Sequence, residues 1–504
     1  MRALSRTPLL LLLTGIVCAS MILPAAVSLS EGEYHDARSF FYAAIVGLVL
    51  TVLIAIAQAT RRHNRNASRQ LLALMTAFIV LPAVMAVPFH EAVRTTSFLN
   101  AFFEMVSSFT TTGATLFDAP RLSSAEHLWR AQVGWLGGLL MWVAAAAILA
   151  PLTLGGFEIT ARGEPGQSVD AGATLRDLSD PAERLSVTAR MLVPIYCGLT
   201  LALWIMLMIA GDPPLLAVSH AMSTMATSGI SPLSAPLRAP SGIAGEMIVF
   251  CFLFFALSRL TFSGDTGASY RPGLREDPEF RMGLALVIVV PALLFLRHWI
   301  AAFDVGEEQN LLQGLRALWG GIFTALSFLS TTGFVSADWA EARSWSGLET
   351  PGLMLMGLAI IGGGVATTAG GVKLLRIYAL FLAGKRELER LVHPHSVGHS
   401  GVMARRMRRQ GAFIAWVFFM MFAMSIAAFS LVFSLFGLDF ENAMTVTIAG
   451  LTNCGPLLRA AAEMPVDLAG LSGGAKLTFG AAMVLGRLEL LAIIVLLTPG
   501  LWRD

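Results

Sequence analysis

Charge is scarce in this sequence. Of 504 residues, 13% are Asp, Glu, Lys or Arg, roughly half the share in a soluble globular domain. Hydrophobic residues make up 56% and mean hydropathy is +0.70, which excludes a soluble enzyme, a disordered scaffold and a secreted disulfide domain. Cysteine is scarce as well. Cys18, Cys197, Cys251 and Cys454 stand far apart without a C-x-x-C pair, so neither a zinc site nor a disulfide framework is indicated. Lysine is scarcer still, with Lys373, Lys385 and Lys476 against 32 arginines, a skew that reads as codon bias. Basic residues number 35 and acidic ones 33, leaving no overall field to draw nucleic acid or an acidic surface. No nucleophile–base pair or metal-ligand cluster stands in a credible setting, so an enzyme reading finds no support. The longest hydrophilic stretch, residues 155–188, is too short for an ordinary soluble domain. No run of arginines at every third position suggests a voltage sensor.

What the chain does have is apolar blocks of about 20 residues, the length that crosses a bilayer as a helix. Ten are expected, near residues 8–28, 39–59, 70–88, 132–153, 189–210, 243–263, 281–302, 352–382, 412–436 and 475–498. The first follows a basic start (Arg2, Arg6) but is longer than a signal-peptide core, and it reads as a retained span. Between them lie shorter, less apolar stretches near 98–110, 214–226, 312–330 and 439–452, which read as re-entrant elements. Arginine and lysine crowd alternate loops, from Arg61–Arg69 to the seven basic residues of 384–410. Positive charge marks the cytoplasmic side, which puts both termini inside and the four short elements dipping in from outside.

Those four elements share one pattern. Each runs as a short helix into a polar turn with a glycine: SSFTTTGAT at Gly113, STMATSGIS at Gly229, SFLSTTGFV at Gly333 and AGLTNCGPL at Gly455. Aligned on the glycines, six residues earlier stand Ser107, Ser223, Ser327 and Ala449, and twelve earlier Ala101, Ala217, Gly321 and Ala443, all small. Two residues earlier stand Thr111, Thr227, Thr331 and Asn453, all polar. Small residues suit helices packed tightly around a centre. Non-helical backbone at membrane depth is tolerated only where it is buried or lines a water-filled path. A glycine there permits positive φ, rings of carbonyls can replace the water around a cation, and helix C-termini add partial negative charge. The unit is span, short helix, glycine turn, span, repeated four times after two leading helices. The expected fold is an all-α polytopic membrane protein with four pseudo-fourfold membrane–pore-helix–membrane repeats around a central pore. Its units are 1–66 (leading helices), 67–158, 159–266, 267–384 and 385–504.

With these motifs the chain resembles the Trk/Ktr/HKT superfamily of cation transporters, in the branch of the bacterial TrkH and TrkG potassium-uptake subunits. The resemblance covers essentially the whole chain. It implies a potassium selectivity filter of Thr110, Thr111, Thr112 and Gly113; Ala226, Thr227, Ser228 and Gly229; Ser330, Thr331, Thr332 and Gly333; and Thr452, Asn453, Cys454 and Gly455. Potassium, the permeant ion, would meet the backbone carbonyls of Thr111, Thr112, Thr227, Ser228, Thr331, Thr332, Asn453 and Cys454; no organic cofactor is expected. Serine in place of the first filter glycine goes with sodium passage in such proteins. Gly113 therefore favours potassium, while Ala226 and Asn453-Cys454 depart from the Thr-rich pattern. The resemblance also implies an inner-membrane homodimer docked to a cytosolic, nucleotide-binding TrkA-type regulatory subunit, for which 384–410 and 155–188 are the candidate surfaces.

A second motif joins Gly362, Gly363, Gly364, Ala366, Thr367, Thr368, Ala369, Gly370, Gly371 and Lys373 inside block 352–382. The glycines break a helix and permit motion. By resemblance this is an intramembrane gating loop obstructing the pore. A phosphate loop needs adjacent Gly-Lys followed by Ser or Thr, and here Val372 intervenes. Arg487, ionisable at membrane depth, faces a cavity or bundle interior; the resemblance implies a cation barrier in the path, against a pairing with Glu489 or a snorkelling side chain. Lys373 either faces the cavity or marks a span end. Glu104 either adds negative potential at the outer mouth or hydrogen-bonds a neighbour. Gly134 and Gly138 suit close helix packing inside the fold or at a dimer seam. His393, His395 and His399 read as part of a solvated loop more than a metal site. Two alternatives remain: a less selective Na⁺/K⁺ path of the same fold, and a secondary solute transporter with broken helices, which would normally show two inverted repeats.

Overall fold

The computed structural model describes residues 8–58, 67–150, 156, 181–234, 239–258, 277–302, 311–347, 351–393, 409–462 and 465–489, and holds no strand among them. Helices α1 (Leu9–Ser20) and α2 (Ile22–Glu31) make the first crossing, broken at Met21, and α3 (Tyr34–Gln58) returns. Around the first glycine turn lie α4 (Ala67–Val93), α5 (Phe98–Phe109) and α6 (Ser124–Ala144), the last continuing as a π-helical turn to Leu149. Around the second lie α7 (Pro181–Ile209), α8 (Pro214–Ala226) and α9 (Gly242–Leu253). The third has α10 (Pro278–Ala302), α11 (Leu311–Leu329), α12 (Trp339–Ser346), α13 (Gly352–Ile361) and α14 (Leu374–Val392). The fourth has α15 (Arg409–Leu435), α16 (Phe440–Leu451), α17 (Leu457–Ala460) and α18 (Gly473–Leu488).

Seven of the ten expected spans are helices long and apolar enough to cross a membrane among the described residues. The other three are shorter. The 243–263 block is helical over Gly242–Leu253 and tightens into a 3₁₀ turn to Ala256. The 352–382 block splits into α13 and α14 at its glycines, and the last block is described as helix over Gly473–Leu488. The third dipping helix has 19 residues against 12 or 13 in the others. Helix α14 runs unbroken through residues 384 and 385.

Start signals explain where several of these helices begin. Ser97, Asp439 and Ser472 each accept a backbone N–H at the N-cap of α5, α16 and α18. Ser123 and Glu126 form a reciprocal capping box on α6, and Pro214 opens α8 at a position whose missing N–H costs nothing.

In lipid, apolar faces gain little by meeting one another, so close packing at small residues holds such bundles. Gly137 and Gly138 show it: a Cβ on the first would strike the Phe109 carbonyl and one on the second would lie 3.0 Å from Ala226. Helix α6 is thereby wedged between α5 and α8, which places the Gly134–Gly138 pair inside the fold. One packed cluster joins the leading helices to the first repeat through Phe40, Phe78, Phe109 and Trp129, and a second runs through repeats two to four. Helix α3 is peripheral, with Val46, Val49, Leu50 and Leu53 exposed.

Candidate functional site

All four short helices end in the same way. The N–H one residue before each glycine donates to the carbonyl six residues before it: Thr112 to Ser107, Ser228 to Ser223, Thr332 to Ser327, at 2.9 Å each, and Cys454 to Ala449 at 3.0 Å. This is the six-to-one bond of a Schellman cap, whose left-handed residue is ordinarily Gly or Asn. Here that residue is Thr111 (φ 57°), Thr227 (φ 51°), Thr331 (φ 58°) and Asn453 (φ 53°). A β-branched side chain in the left-handed region is disfavoured by about 1–2 kcal/mol, and backbone strain of this kind concentrates at functional sites. Gly113, Gly229 and Gly333 follow with φ of 73°, 66° and 79°. Gly455 does not take positive φ, which corrects the expectation of one turn geometry in all four copies.

The turns meet in chain order. A Cβ on Gly113 would strike the carbonyl oxygen of Ser228, and one on Gly229 that of Thr332. Gly333 packs on Pro456, and Gly455 on Thr112 and Ala114, so the fourth turn closes against the first. Gly455 also donates its N–H to the Thr112 carbonyl at 2.6 Å. All four glycines line one cavity of about 510 Å³, with Arg130, Asp118, Asp467 and Arg459 also on its wall. Thr110, Ser330 and Thr452 sit at the helix ends, fully buried. The Thr110 and Ser330 hydroxyls brace Thr112 and Thr332 at 2.8 and 2.9 Å, a bond that Ala226 cannot make. Asn453 spans two elements, donating to Thr112 Oγ1 (3.0 Å) and the Met483 carbonyl (2.9 Å). Cys454 is a fully buried free thiol.

On the side of the left-handed residues lies the segment 362–373. Gly370 donates its N–H to Thr331 Oγ1 at 2.7 Å, and the Thr368 hydroxyl lies 3.2 Å from that of Thr227 and donates to the Met225 carbonyl at 3.1 Å. A Cβ on Gly370 would strike the Thr452 carbonyl. The segment thus touches turns two, three and four. Gly362 (φ 72°) and Gly371 (φ 78°) start and finish the excursion, and Ala366 takes φ 56° within it. Gly363 and Gly364 approach the Ala256 and Leu257 carbonyls too closely for a side chain, and the Thr367 hydroxyl closes a turn onto the Gly364 carbonyl. Gly364 and Val365 donate their N–H groups to the Ala256 carbonyl and to Glu279.

Several buried charges lie in and around this segment. Lys373 is buried and donates to the carbonyl of Ala369, holding the segment from within. Arg487, 3% exposed, donates to the carbonyl of Thr368 at 2.6 Å. Glu489 pairs with Arg376, at 2.7 Å, not with Arg487. Glu489 stands just past the end of α18 with φ of 62°, out of helical register with Arg487, and Arg376 also lies 3.7 Å over the Phe418 ring. Neither the Arg487–Glu489 pair nor a snorkelling Arg487 describes the structure. Arg376, Glu279 and Glu246 were not singled out from sequence, although each is a charge within or beside an apolar block, which is itself a signal. Glu104 is paired with Arg130 at 2.6 Å and so is not a free charge at the mouth. His395, His399 and most of 155–188 and 394–408 lie outside the described residues.

Comparison with known proteins completes the description. The family model TrkH, described as a cation transport protein, matches residues 44–254 and 281–501. The Trk system potassium uptake protein TrkH of Vibrio parahaemolyticus is 30% identical over 505 residues, covering 98% of each sequence. Its counterpart from Salmonella typhimurium is 32% identical over 502 residues, again covering 98% of each. The crystal structure of the potassium transporter TrkH from Vibrio parahaemolyticus superposes with a TM-score of 0.80 at 27% identity, over 100% of this chain and 99% of that one. The chain belongs to the TrkH family of cation transport proteins.

Proposed function

We propose that this chain admits potassium to a bacterial cytoplasm across the inner membrane, through a filter formed where the four glycine turns meet. One observation carries the reading: Gly113, Gly229, Gly333 and Gly455 line a single cavity, each in contact with the next turn. An ion arriving there exchanges its water for main-chain oxygens of Thr111–Thr112, Thr227–Ser228, Thr331–Thr332 and Asn453–Cys454. The relatives are named as potassium uptake proteins, which supports the choice of ion.

Segment 362–373 is the gate in this reading. Its bonds to Thr227, Thr331 and Arg487 hold it against the inner side of the turns, and conduction requires it to move aside. Arg487 adds a cation that opposes the permeant ion. The relatives belong to a Trk system, in keeping with a homodimer that works with a cytosolic nucleotide-binding partner. Both termini are placed inside by the loop charges. A less selective Na⁺/K⁺ path is the second reading, favoured by the fourth turn, where Gly455 departs from the φ of the other three and binds the Thr112 carbonyl.

Rubidium uptake into proteoliposomes, with the regulatory subunit present, competed with sodium and without any other solute gradient, tests the proposal. Uptake that resists excess sodium is expected. Uptake suppressed equally by sodium selects the second reading, and no uptake contradicts both.

A further inference from the structure

Two buried carboxylates hold the chain just beyond two of the glycine turns. Glu104, fully buried on α5, accepts the N–H of Leu116 at 3.0 Å through Oε2 and meets Arg130 Nε at 2.6 Å through Oε1. Glu246, 2% exposed on α9, accepts the N–H of Ala337 at 2.8 Å through Oε1. Its Oε2 accepts from the Ser336 hydroxyl at 2.8 Å and from Trp319 Nε1 at 2.9 Å. Leu116 lies three residues after Gly113, and Ser336 and Ala337 three and four after Gly333.

We propose that Glu104 and Glu246 are positioning residues that set ion discrimination, by fixing the backbone that leaves the turns at Gly113 and Gly333. The proposal deepens the filter reading above and rests on it. The repeat itself supports the assignment. Nine residues before the glycines stand Glu104, His220, Thr324 and Val446. In the first three repeats this station reaches the segment after its own glycine: His220 Nε2 lies 2.9 Å from the Ser231 hydroxyl, and Thr324 Oγ1 accepts from Ser336 N at 3.5 Å. The threonine contact is the weakest. There a charge arrives instead from the neighbouring repeat: Glu246 stands seventeen residues after Gly229, the station that Arg130 holds after Gly113. Glu246 therefore ties the second repeat to the rim of the third.

A buried carboxylate is costly unless its oxygens are satisfied by strong donors. Both of these spend acceptor capacity on main-chain N–H groups of the rim, where a charged acceptor makes the bond shorter and stronger. Leu116, itself braced, and Val335, beside the braced Ser336, line the same cavity as the four glycines. A rim held open resists contracting onto a smaller ion.

The test is the ratio of rubidium to sodium uptake in proteoliposomes. Glu246→Gln faces an amide N–H₂ with the Ala337 N–H and the Trp319 indole N–H, which only donate, and with the Ser336 hydroxyl, and loses the charge that strengthens these bonds. The ratio should fall about tenfold, the equivalent of one such bond. Ser336→Ala removes the hydroxyl's bond to Glu246 and its acceptance of the Asp338 N–H at 3.2 Å without changing the charge of Glu246, and should lower the ratio by a smaller factor. Trp319→Phe removes a bond to the same carboxylate that does not touch the rim, and should leave the ratio unchanged. A Glu104→Gln, Arg130→Gln double variant should act as Glu246→Gln does. If the wild type discriminates while Glu246→Gln and Ser336→Ala do so equally well, the proposal is wrong. If Glu246→Gln fails to fold, Ser336→Ala against Trp319→Phe decides in the same way. A wild type that conducts without discriminating brings down the filter reading, and the proposal with it.

Discussion

Arg487 Nη1 donates to the Thr368 carbonyl oxygen at 2.6 Å, linking α18 to a segment 119 residues earlier. Its Nε and Nη2 are buried without a hydrogen-bond partner. A buried guanidinium satisfied at one corner is costly, so its retention calls for a role. Under the proposed function it both latches the segment and repels the permeant ion. Arg487→Gln should therefore raise rubidium flux in proteoliposomes about tenfold, the worth of one bond to a charged group. Arg487→Lys, which keeps the charge, should leave flux low.

Gly113 has φ of 73°, and a Cβ there would collide with the Ser228 carbonyl. Gly113→Ser should push the first two turns apart and bring rubidium and sodium uptake closer together. A thermal melt should show destabilisation of about 1–3 kcal/mol, the cost of forced backbone strain with overpacking. Unchanged ion discrimination would favour the less selective reading.

Thr331 Oγ1 accepts the Gly370 N–H at 2.7 Å. Thr331→Val keeps the shape and removes the acceptor, leaving a buried N–H unpaired at a cost of about 1–3 kcal/mol. That cost falls on the closed position of segment 362–373. Flux without the regulatory partner should rise several-fold while the rubidium-to-sodium ratio stays near that of the wild type.

Glu489 closes the buried pair with Arg376 beneath the same segment. Glu489→Gln leaves a guanidinium buried without its countercharge, which typically costs about 3–5 kcal/mol. A clear drop in melting temperature of the detergent-solubilised protein is expected. Arg376→Lys should not substitute fully, because the planar group also stacks on Phe418 at 3.7 Å.

Much of the architecture was legible because it is written in local pattern. The short elements expected near 98–110, 214–226 and 439–452 are helices over Phe98–Phe109, Pro214–Ala226 and Phe440–Leu451, bounded by caps and turn residues that lie beside them in sequence. The shared glycine register carried enough information to group four distant turns. The left-handed conformations of Thr111, Thr227 and Thr331 were not legible. Threonine disfavours that region, and only the cap bonds and the packing of neighbouring turns impose it. The Arg376–Glu489 pair, 113 residues apart, and the reach of Glu246 into the next repeat are products of tertiary packing that no spacing rule encodes. The break at Met21 in the first crossing has its signal in Pro24, which has no N–H for the Ser20 carbonyl; Gln132 Nε2 donates to that carbonyl instead at 2.8 Å.

The central claim is that an ion sheds its water among the main-chain oxygens where the four turns meet. Anomalous diffraction from crystals grown in rubidium locates that ion directly. The account predicts a peak on the axis enclosed by Gly113, Gly229, Gly333 and Gly455, within coordination distance of the carbonyls that precede them. Ordered rubidium elsewhere in the chain, with that axis bare in a protein that transports it, would contradict the account.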